Sequence, residues 1–306
     1  MTSPFDVAGK VTIVTGASYG LGEVFALGLA EAGSDLVLAA RSLDLLEAVA
    51  ERCRAMGRKV TAVRCDVSNE DDVCNLVKTA VAEHGRIDVL VNNAGVADLR
   101  GLGAEQFDTE TFKQIVEVDL IGAFMVAREA GKQMLEQGTG SIINICSIMG
   151  SGASETGVIA YSAAKGGLRN MTLQLGCEWA DRGVRVNSIS PGFIVTEMTR
   201  PALEGLGLTE YIASRTPMRR VGDASELLGP LLFLASEASS YVTGLDLLVD
   251  GGTNASNGYY QVAPVHHGWG EKIGRPMIGE PWSGLAPLPE RFDVAKPGVP
   301  GIHYEL

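Results

Sequence analysis

Short apolar runs alternate with helix-type patterns along roughly the first 250 residues of this 306-residue chain. The runs are rich in β-branched residues, as in Val11-Thr-Ile-Val-Thr15, and they lack the polar–apolar alternation of a strand with one wet face. Strands of this kind are buried on both faces, and crossovers between parallel strands are right-handed. The pattern therefore predicts an α/β fold with a doubly wound parallel sheet. The expected strands are residues 11–15, 36–40, 60–64, 87–91, 141–146, 184–190 and 245–249.

Helix signals fill the segments between these strands. Gly33 and Gly57 stand where a glycine ends a helix. Asn69 is a candidate N-terminal cap, and three acidic residues follow it in the first turn. Further helices are expected at about 108–136, 160–180 and 223–236.

The composition changes after Gly252. Residues 253–306 hold seven of the twelve prolines, two of the three tryptophans and three of the four histidines, without a helical or strand period. We predict a single domain over 1–252, followed by an irregular, Pro/aromatic-rich C-terminal extension over 253–306. Because the extension is too aromatic for a solvated linker, we expect it to lie across a folded surface.

The charge balance and the apolar pattern limit the partners of the chain. The net charge is −12, and no cluster of lysines and arginines is present to neutralise phosphates, so we expect no nucleic acid. No apolar run is long enough to cross a bilayer, and the first nine residues do not resemble a signal peptide. We therefore expect no membrane and a cytoplasmic location. The five cysteines have no paired spacing, which predicts neither disulfides nor a metal site.

A glycine-rich turn, Thr15-Gly-Ala-Ser-Tyr-Gly-Leu-Gly22, joins the first strand to the first helix. Its glycines allow the backbone to turn sharply and to approach a pyrophosphate, whose charge would face the helix N-terminus. The complete βαβ unit that follows favours a dinucleotide site over a simple tight turn. The residues expected to contact the cofactor here are Gly16, Ser18, Tyr19, Gly20, Leu21 and Gly22.

The segment Gly16-Ala-Ser-Tyr-Gly20 also matches the nucleophile elbow of serine hydrolases, with Ser18 as the nucleophile. That chemistry needs a histidine base and an orienting acid. His84 is expected at the end of a helix, and the other three histidines lie in the C-terminal extension. A serine hydrolase is therefore only an alternative.

Ser147, Tyr161 and Lys165 form the second candidate site. Ser147 follows an expected strand, and Tyr161 and Lys165 stand four residues apart near the start of a helix, so both lie on one face of it. An ammonium beside a phenol stabilises the phenolate and lowers the pKa of the phenol. Tyr161 is then suited to exchange a proton with a substrate oxygen that Ser147 holds by a hydrogen bond.

These pieces together resemble the short-chain dehydrogenase/reductase family over roughly residues 5–252. The resemblance implies a Rossmann-like domain that transfers a hydride between a nicotinamide cofactor and a secondary alcohol or ketone. It also implies a homodimer or homotetramer, whose neighbouring subunit is the surface on which we expect the extension to pack. Packing over its own subunit is the alternative. The matching motifs are Thr15-Gly-x-x-x-Gly-x-Gly22, Asp66-Val67, Asn92-Asn-Ala-Gly95, Ser147, Tyr161-x-x-x-Lys165, Pro191-Gly192 and Asp250-Gly-Gly252.

The resemblance implies a role for each matched residue. Tyr161 is the general acid/base, Lys165 binds the nicotinamide ribose and lowers the pKa of Tyr161, and Ser147 orients the substrate. Asp66 contacts the adenine, and Ile194 and Thr196 hold the nicotinamide end. The other implied cofactor contacts are Val67, Asn93, Ala94, Gly95, Pro191 and Gly192. A non-catalytic NADP-binding regulatory protein on the same fold is the second alternative, and the presence of all three catalytic residues argues against it.

Two stretches, Leu38-Ala-Ala-Arg41 and Pro217-Met-Arg-Arg-Val-Gly222, are most similar to the gluconate 5-dehydrogenase-like branch of the family. This likeness implies a sugar acid or a polyol as substrate, while an apolar ketone stays open. We expect the substrate to lie between Ser147, Tyr161 and residues 197–222. The expected wall residues are Met149, Gly152, Phe193 and Met198.

Asp119 is a departure from the family. Members of the family usually have an asparagine at this position of the long central helix, where it holds a water of the proton relay. An ionised carboxylate accepts a hydrogen bond from such a water but cannot donate one. We therefore count Asp119 among the catalytic residues and expect an altered relay.

The end of the second strand bears on the choice between NADP and NAD. An acidic residue there would bind the adenosine ribose of NAD and repel a 2′-phosphate. This chain has Ala40 at that place, followed by Arg41 and Ser42. A guanidinium and a hydroxyl both suit a phosphate, so the sequence favours NADP(H), with NAD(H) as the alternative.

Overall fold

The computed structural model describes residues 3–98, 102–152, 158–196, 199–200, 203 and 208–256. The strands are β1 (Val11–Thr15), β2 (Asp35–Ala40), β3 (Val60–Arg64), β4 (Val89–Asn92), β5 (Gly140–Ile145), β6 (Val184–Pro191), β7 (Ile194–Val195), β8 (Gly222–Asp223) and β9 (Asp246–Val249). The α-helices are α1 (Gly20–Glu31), α2 (Leu43–Ala55), α3 (Glu70–His84), α4 (Thr109–Val116), α5 (Ala123–Gln137), α6 (Ile159–Glu178), α7 (Leu208–Arg215) and α8 (Leu228–Ala235).

Seven of the strands form one parallel sheet in the order β3-β2-β1-β4-β5-β6-β9. The chain runs outward from β1 to β3 and then crosses back to place β4 beside β1. This reversal is the switch point at which doubly wound sheets bind their ligands. The predicted α/β, Rossmann-like fold is therefore confirmed.

Helices cover both faces of the sheet. Phe25 of α1, Leu46 of α2 and Leu231 of α8 are fully buried on one face. Leu76 of α3 and Met134 of α5 are fully buried on the other. Because helices cover both faces of the sheet, neither face is exposed to water. The strands can therefore carry apolar side chains on both sides, which explains their unbroken apolar runs.

The helix ends follow the predicted signals. Gly33 and Gly57 have positive φ angles of 96° and 80° just beyond α1 and α2, and the Asn69 side chain accepts a 3.1 Å hydrogen bond from the Asp72 N–H. The predicted helix at 108–136 differs in one respect. It contains a π-helical turn, Glu117–Gly122, between α4 and α5, and this turn includes Asp119. The sequence also gave no signal for α7 or for the short pair β7–β8.

The predicted C-terminal extension lies almost wholly outside the described residues, which end at Ser256. After β9, Asp250 accepts hydrogen bonds from the N–H groups of Gly252 and Asn254. Among the residues that the structure describes, no helix is long and apolar enough to cross a membrane.

Candidate active site

A cleft opens at the carboxyl ends of β1, β4 and β5, where the strand order reverses. It brings together most of the residues that the sequence singled out, from the glycine turn to the end of α6. Its lining includes Gly16, Tyr19, Gly20, Leu21, Asn93, Ala94, Gly95, Asp119, Ser147, Tyr161, Lys165, Pro191, Gly192, Ile194 and Thr196. The sequence therefore predicted one continuous site from motifs that are up to 180 residues apart.

The glycine turn between β1 and α1 requires glycine for two different reasons. Gly16 and Gly20 have φ angles of 64° and 63°, a region that side chains other than glycine rarely adopt. Gly22 has no such angle, but a Cβ atom there would lie 2.0 Å from the carbonyl oxygen of Gly16. The turn thus folds tightly back on the first residues of α1, whose N-terminus faces the cleft.

A polar clamp fixes the glycine turn to the loop after β4. The Thr15 Oγ1 accepts hydrogen bonds of 3.0 Å from the backbone N–H groups of Asn93 and Ala94. In return, the Asn93 side-chain amide donates to the carbonyl oxygens of Thr15 and Gly16 at 2.9 and 3.3 Å. Asn93 was predicted to contact the cofactor, but its amide donors are directed at the turn itself. Thr15 was not predicted as a site residue, because its partners Asn93 and Ala94 lie almost 80 positions away, after β4.

The three residues of the second candidate site lie together in the cleft. Ser147 follows β5, and its Oγ accepts a 3.2 Å hydrogen bond from the Met149 N–H. Tyr161 and Lys165 lie on the first turns of α6, with the Lys165 Nζ 5.5 Å from the centre of the tyrosine ring. Tyr161 is half-buried as a residue and lines the cleft.

Lys165 is 4% exposed, and two acceptors hold its ammonium. The Nζ donates a 3.1 Å hydrogen bond to the carbonyl oxygen of Ile145, at the end of β5. It also lies 3.2 Å from the Oδ2 of Asp119. Burial lowers the pKa of Lys165, but the Asp119 carboxylate and Tyr161 more than offset this, so the net pKa is raised. The lysine is therefore charged at any pH at which an enzyme works.

The pKa of Tyr161 shifts in the opposite direction from the one that the sequence predicted. Burial raises the pKa of the phenol, Lys165 lowers it as expected, Asp119 raises it, and a hydrogen bond with Ser147 lowers it. The net result is a Tyr161 pKa above the ordinary value for tyrosine. The sequence showed the favourable lysine but gave no measure of burial, so it missed the larger contribution.

The ends of β2 and β3 lie beside the predicted adenosine side of the cleft. Arg41 and Ser42 are exposed there, and Asp66 accepts hydrogen bonds from the Ser68 N–H and hydroxyl. These hydrogen bonds lower the pKa of Asp66 against the effect of burial, and Arg41 and Arg64 lower it further. Arg64 was not predicted as a site residue, although it lies in this group.

The parallel register explains why Arg64 belongs here. Ala40 of β2 pairs directly with Arg64 of β3, so Arg41 and Arg64 leave neighbouring strands at the same edge of the sheet. Arg64 also forms a 3.5 Å ion pair with Asp72. The glycine turn itself contains no basic residue, and Arg64 joins Arg41 only through the pairing of β2 with β3.

The remaining expected residues are distributed as follows. Ser18 and Val67, which follows β3, are buried, with 8% and 6% of their surface exposed. Met198 lies outside the described residues. Val96, Ile145, Cys146 and Thr199 also line the cleft, although the motifs did not include them.

His84, the one histidine among the described residues, has its Nε2 3.0 Å from the Thr61 hydroxyl of β3. Ser18 therefore has no histidine base in the described structure, which removes the support for a hydrolase.

A doubly wound sheet with a glycine turn at its switch point, and a serine, a tyrosine and a lysine in the same cleft, defines a nicotinamide-dependent oxidoreductase. A family model described as enoyl-(acyl carrier protein) reductase matches residues 16–254. The 2-dehydro-3-deoxy-D-gluconate 5-dehydrogenase of Formosa agariphila is 38% identical over 256 residues, which are 83% of this chain and 96% of that protein.

Solved structures agree with these matches. A short-chain type dehydrogenase/reductase from Mycobacterium marinum has a TM-score of 0.76 at 37% identity, over 81% of this chain and 97% of that chain. A gluconate 5-dehydrogenase from Burkholderia cenocepacia, in complex with NADP and tartrate, has a TM-score of 0.78 at 34% identity, over 82% and 98%. The chain belongs to the short-chain dehydrogenase/reductase family.

Gly22→Ala tests whether the tight turn forms part of the cofactor site. The added Cβ would meet the Gly16 carbonyl oxygen at 2.0 Å, so the turn must open and its N–H groups must move. We expect the affinity for NADPH, measured by fluorescence titration, to fall at least about tenfold, which is about 1.4 kcal/mol. Gly229→Ala is the matched control, because Gly229 also lacks a positive φ angle but has no atom within 4 Å of the added Cβ. An unchanged affinity in a folded Gly22→Ala protein would contradict the assignment.

Proposed function

We propose that this enzyme is an NADP(H)-dependent dehydrogenase/reductase that interconverts a hydroxyl and a keto group of a sugar acid. The observation that carries the proposal is the group Ser147, Tyr161 and Lys165 in a single cleft with the glycine turn. The substrate class rests on the relatives, two of which are named as dehydrogenases of gluconate or of a dehydro-deoxy-gluconate.

The described side chains fit a nicotinamide cofactor, because the cleft joins glycine N–H groups at one end to a lysine at the other. When bound, the cofactor supplies or accepts the hydride. In reduction Tyr161 donates its phenolic proton to the substrate oxygen, and in oxidation its phenolate takes that proton back. Ser147 donates a hydrogen bond to the same oxygen. Lys165 has three donors, and the Ile145 carbonyl takes one of them, so donors remain for a ribose hydroxyl.

The cofactor contacts that we propose extend along the whole cleft. The glycine turn lies at the pyrophosphate, Asp66 and Val67 lie toward the adenine, and Arg41 and Ser42 lie toward the adenosine ribose. The loop after β4 and the segment after β6 lie along the nicotinamide half. These contacts are made by Gly16, Ser18, Tyr19, Gly20, Leu21, Gly22, Arg41, Ser42, Asp66, Val67, Asn93, Ala94, Gly95, Tyr161, Lys165, Pro191, Gly192, Ile194 and Thr196.

The preference for NADP is supported by the arginine pair at the ends of β2 and β3. Arg41 and Arg64 both act on Asp66, so both charges lie near the residue that we propose for the adenine. Two guanidinium groups there favour a 2′-phosphate. The NADP in the Burkholderia cenocepacia structure agrees with this choice.

Tyr161→Phe tests the proposed acid/base role. The substitution removes the phenolic proton and little else, so we expect turnover of D-gluconate and 2-dehydro-3-deoxy-D-gluconate with NADP⁺ to fall below about a tenth of the wild-type value. The affinity for NADPH should stay nearly unchanged. Absorbance of the reduced cofactor follows the reaction, with an aliphatic secondary alcohol as the comparison substrate.

Tyr241→Phe is the control for this variant, since Tyr241 is fully exposed. It should keep wild-type turnover. Substantial activity in Tyr161→Phe would refute the acid/base role. Wild-type turnover of the aliphatic alcohol without any turnover of the sugar acids would instead refute the substrate class.

Arg41→Ala and Arg64→Ala test the choice of cofactor. We expect Arg41→Ala to weaken NADPH binding by roughly 1.5–3 kcal/mol, the loss of a charge-assisted contact, and to leave NADH binding nearly unchanged. Arg64→Ala should act in the same direction with a smaller loss, because Arg64 already pairs with Asp72. Arg58→Ala is the matched control, because Arg58 lies two residues before β3 and donates a hydrogen bond to the Gly33 carbonyl oxygen. Equal losses for both cofactors would remove the arginines from the phosphate site.

We further propose a homodimer or homotetramer. Ile121, Phe124 and Ile159 expose 40–44% of their surface on the π-helical turn, α5 and α6, and exposed apolar side chains on these elements favour association. Light scattering should give a mass of two or four subunits for the wild type, and Phe124→Glu with Ile159→Glu should give smaller species. Leu45→Glu, on the exposed side of α2, is the control. A monomeric wild-type protein would exclude the proposal.

The cytoplasmic location and the domain boundary are also proposals. The free thiols of Cys53, Cys65 and Cys146 are buried, as expected in a reducing compartment. The family match ends at residue 254, shortly after β9. This supports a dinucleotide-binding and catalytic domain over 1–252, with 253–306 as an added segment.

A further inference from the structure

Asp119 lies in the π-helical turn and is completely buried. Its Oδ1 accepts a 2.7 Å hydrogen bond from the Val96 N–H, and its Oδ2 lies 3.2 Å from the Lys165 Nζ. The Oδ2 accepts no well-directed hydrogen bond from the described residues. The carboxylate therefore has one strong electrostatic partner, the Lys165 ammonium.

The close packing around this ion pair shows that it is built into the fold. A Cβ atom on Gly95 would lie 2.8 Å from the Asp119 Oδ2 and 3.3 Å from the Lys165 Nζ. On the other side of the turn, a Cβ atom on Gly122 would lie 2.8 Å from the Val67 carbonyl oxygen. Two glycines thus let the π-helical turn approach the cleft closely enough to bring the carboxylate against the lysine.

Among the described residues, few other charged groups act on Tyr161 and Lys165. Cys146 follows β5, and burial raises its pKa to about 12, so its thiol is neutral in the working range of an enzyme. Beyond it, Asp246 of β9 is paired with Arg169 of α6 at 2.8 Å. Among the described groups that act on Tyr161, Asp119 is therefore the negative charge that is paired directly with Lys165. The Asp119 carboxylate therefore balances the positive charge of Lys165 beside the phenol.

We propose that Asp119 is a positioning residue that pairs with Lys165, balances its charge and keeps the Tyr161 phenol in its acid form to higher pH than a lone lysine would. This role differs from holding a relay water, because it acts through the lysine. It rests on the proposed acid/base function of Tyr161. The direction agrees with the Asp119 carboxylate raising the pKa of both Tyr161 and Lys165.

The effect must appear in both directions of the reaction. The overall equilibrium belongs to the substrates, so the residue cannot favour oxidation or reduction alone. It can only move the pH at which the phenol and the phenolate exchange dominance. Oxidation needs the phenolate and reduction needs the phenol, so the two pH profiles must move together.

Asp119→Asn tests the proposal, since it removes the charge and keeps an oxygen for the Val96 N–H. The pH dependence of kcat/KM is measured in both directions with NADP⁺ and NADPH. We expect the limbs of both profiles to move to lower pH by about one unit, the size of effect that a nearby charge produces. Glu117→Gln, an exposed residue of the same turn, removes an equal charge and should move neither profile. Unmoved limbs in Asp119→Asn, or limbs moved to higher pH, would overturn the proposal.

A second measurement separates this proposal from the proposed substrate. The Tyr161 phenolate is titrated by ultraviolet absorbance in the substrate-free protein, as the difference from Tyr161→Phe in the same background. Asp119→Asn should titrate at lower pH than the wild type, and Asp119→Ser is measured if the asparagine variant does not fold. If wild-type enzyme fails on every sugar acid, the proposed function fails while this titration still decides the role of Asp119. Equal titration in the wild type and the folded variant overturns the role alone.

Discussion

Burial of the sheet on both faces is the constraint on which the rest of the structure depends. Each central strand carries apolar side chains on its two sides, so helices must cover both. Each helix returns the chain to the same edge of the sheet, and all strands therefore end at one side. Where the chain crosses from β3 back to β4, a cleft opens at that side of the sheet. The polar residues of the candidate active site lie in this cleft.

The sequence predicted the local features of this arrangement well. The bounds of β1 and β3 agree with the expected strands residue for residue, because β-branched runs between glycines have few alternative structures. The Asn69 cap is equally local. The π-helical turn was not predictable in the same way. One extra residue in a helical turn leaves the apolar stripe of α4 and α5 almost unchanged, so periodicity does not reveal it.

What the sequence missed at the site depends on contacts between distant segments. Arg64 joins Arg41 only through the register of two strands. The net shift of the Tyr161 pKa depends on burial by α6 and on a carboxylate that is 42 positions earlier in the chain. Motif spacing identifies which side chains meet, whereas their titration depends on how deeply they are buried and on which charges surround them. The Asp119–Lys165 pair belongs to this second kind of information.

The clamp between Thr15 and Asn93 has a consequence for inheritance as well as for binding. The Thr15 hydroxyl accepts hydrogen bonds from two N–H groups, and the Asn93 amide donates to two carbonyl oxygens. Each side chain therefore provides hydrogen-bond partners for backbone groups of the opposite loop. A change that removes the hydroxyl or the amide leaves part-buried backbone groups without these partners, which costs more than the hydrogen bond itself contributes. We therefore expect variation at position 15 or 93 to be limited to side chains that keep these groups, such as serine in place of Thr15.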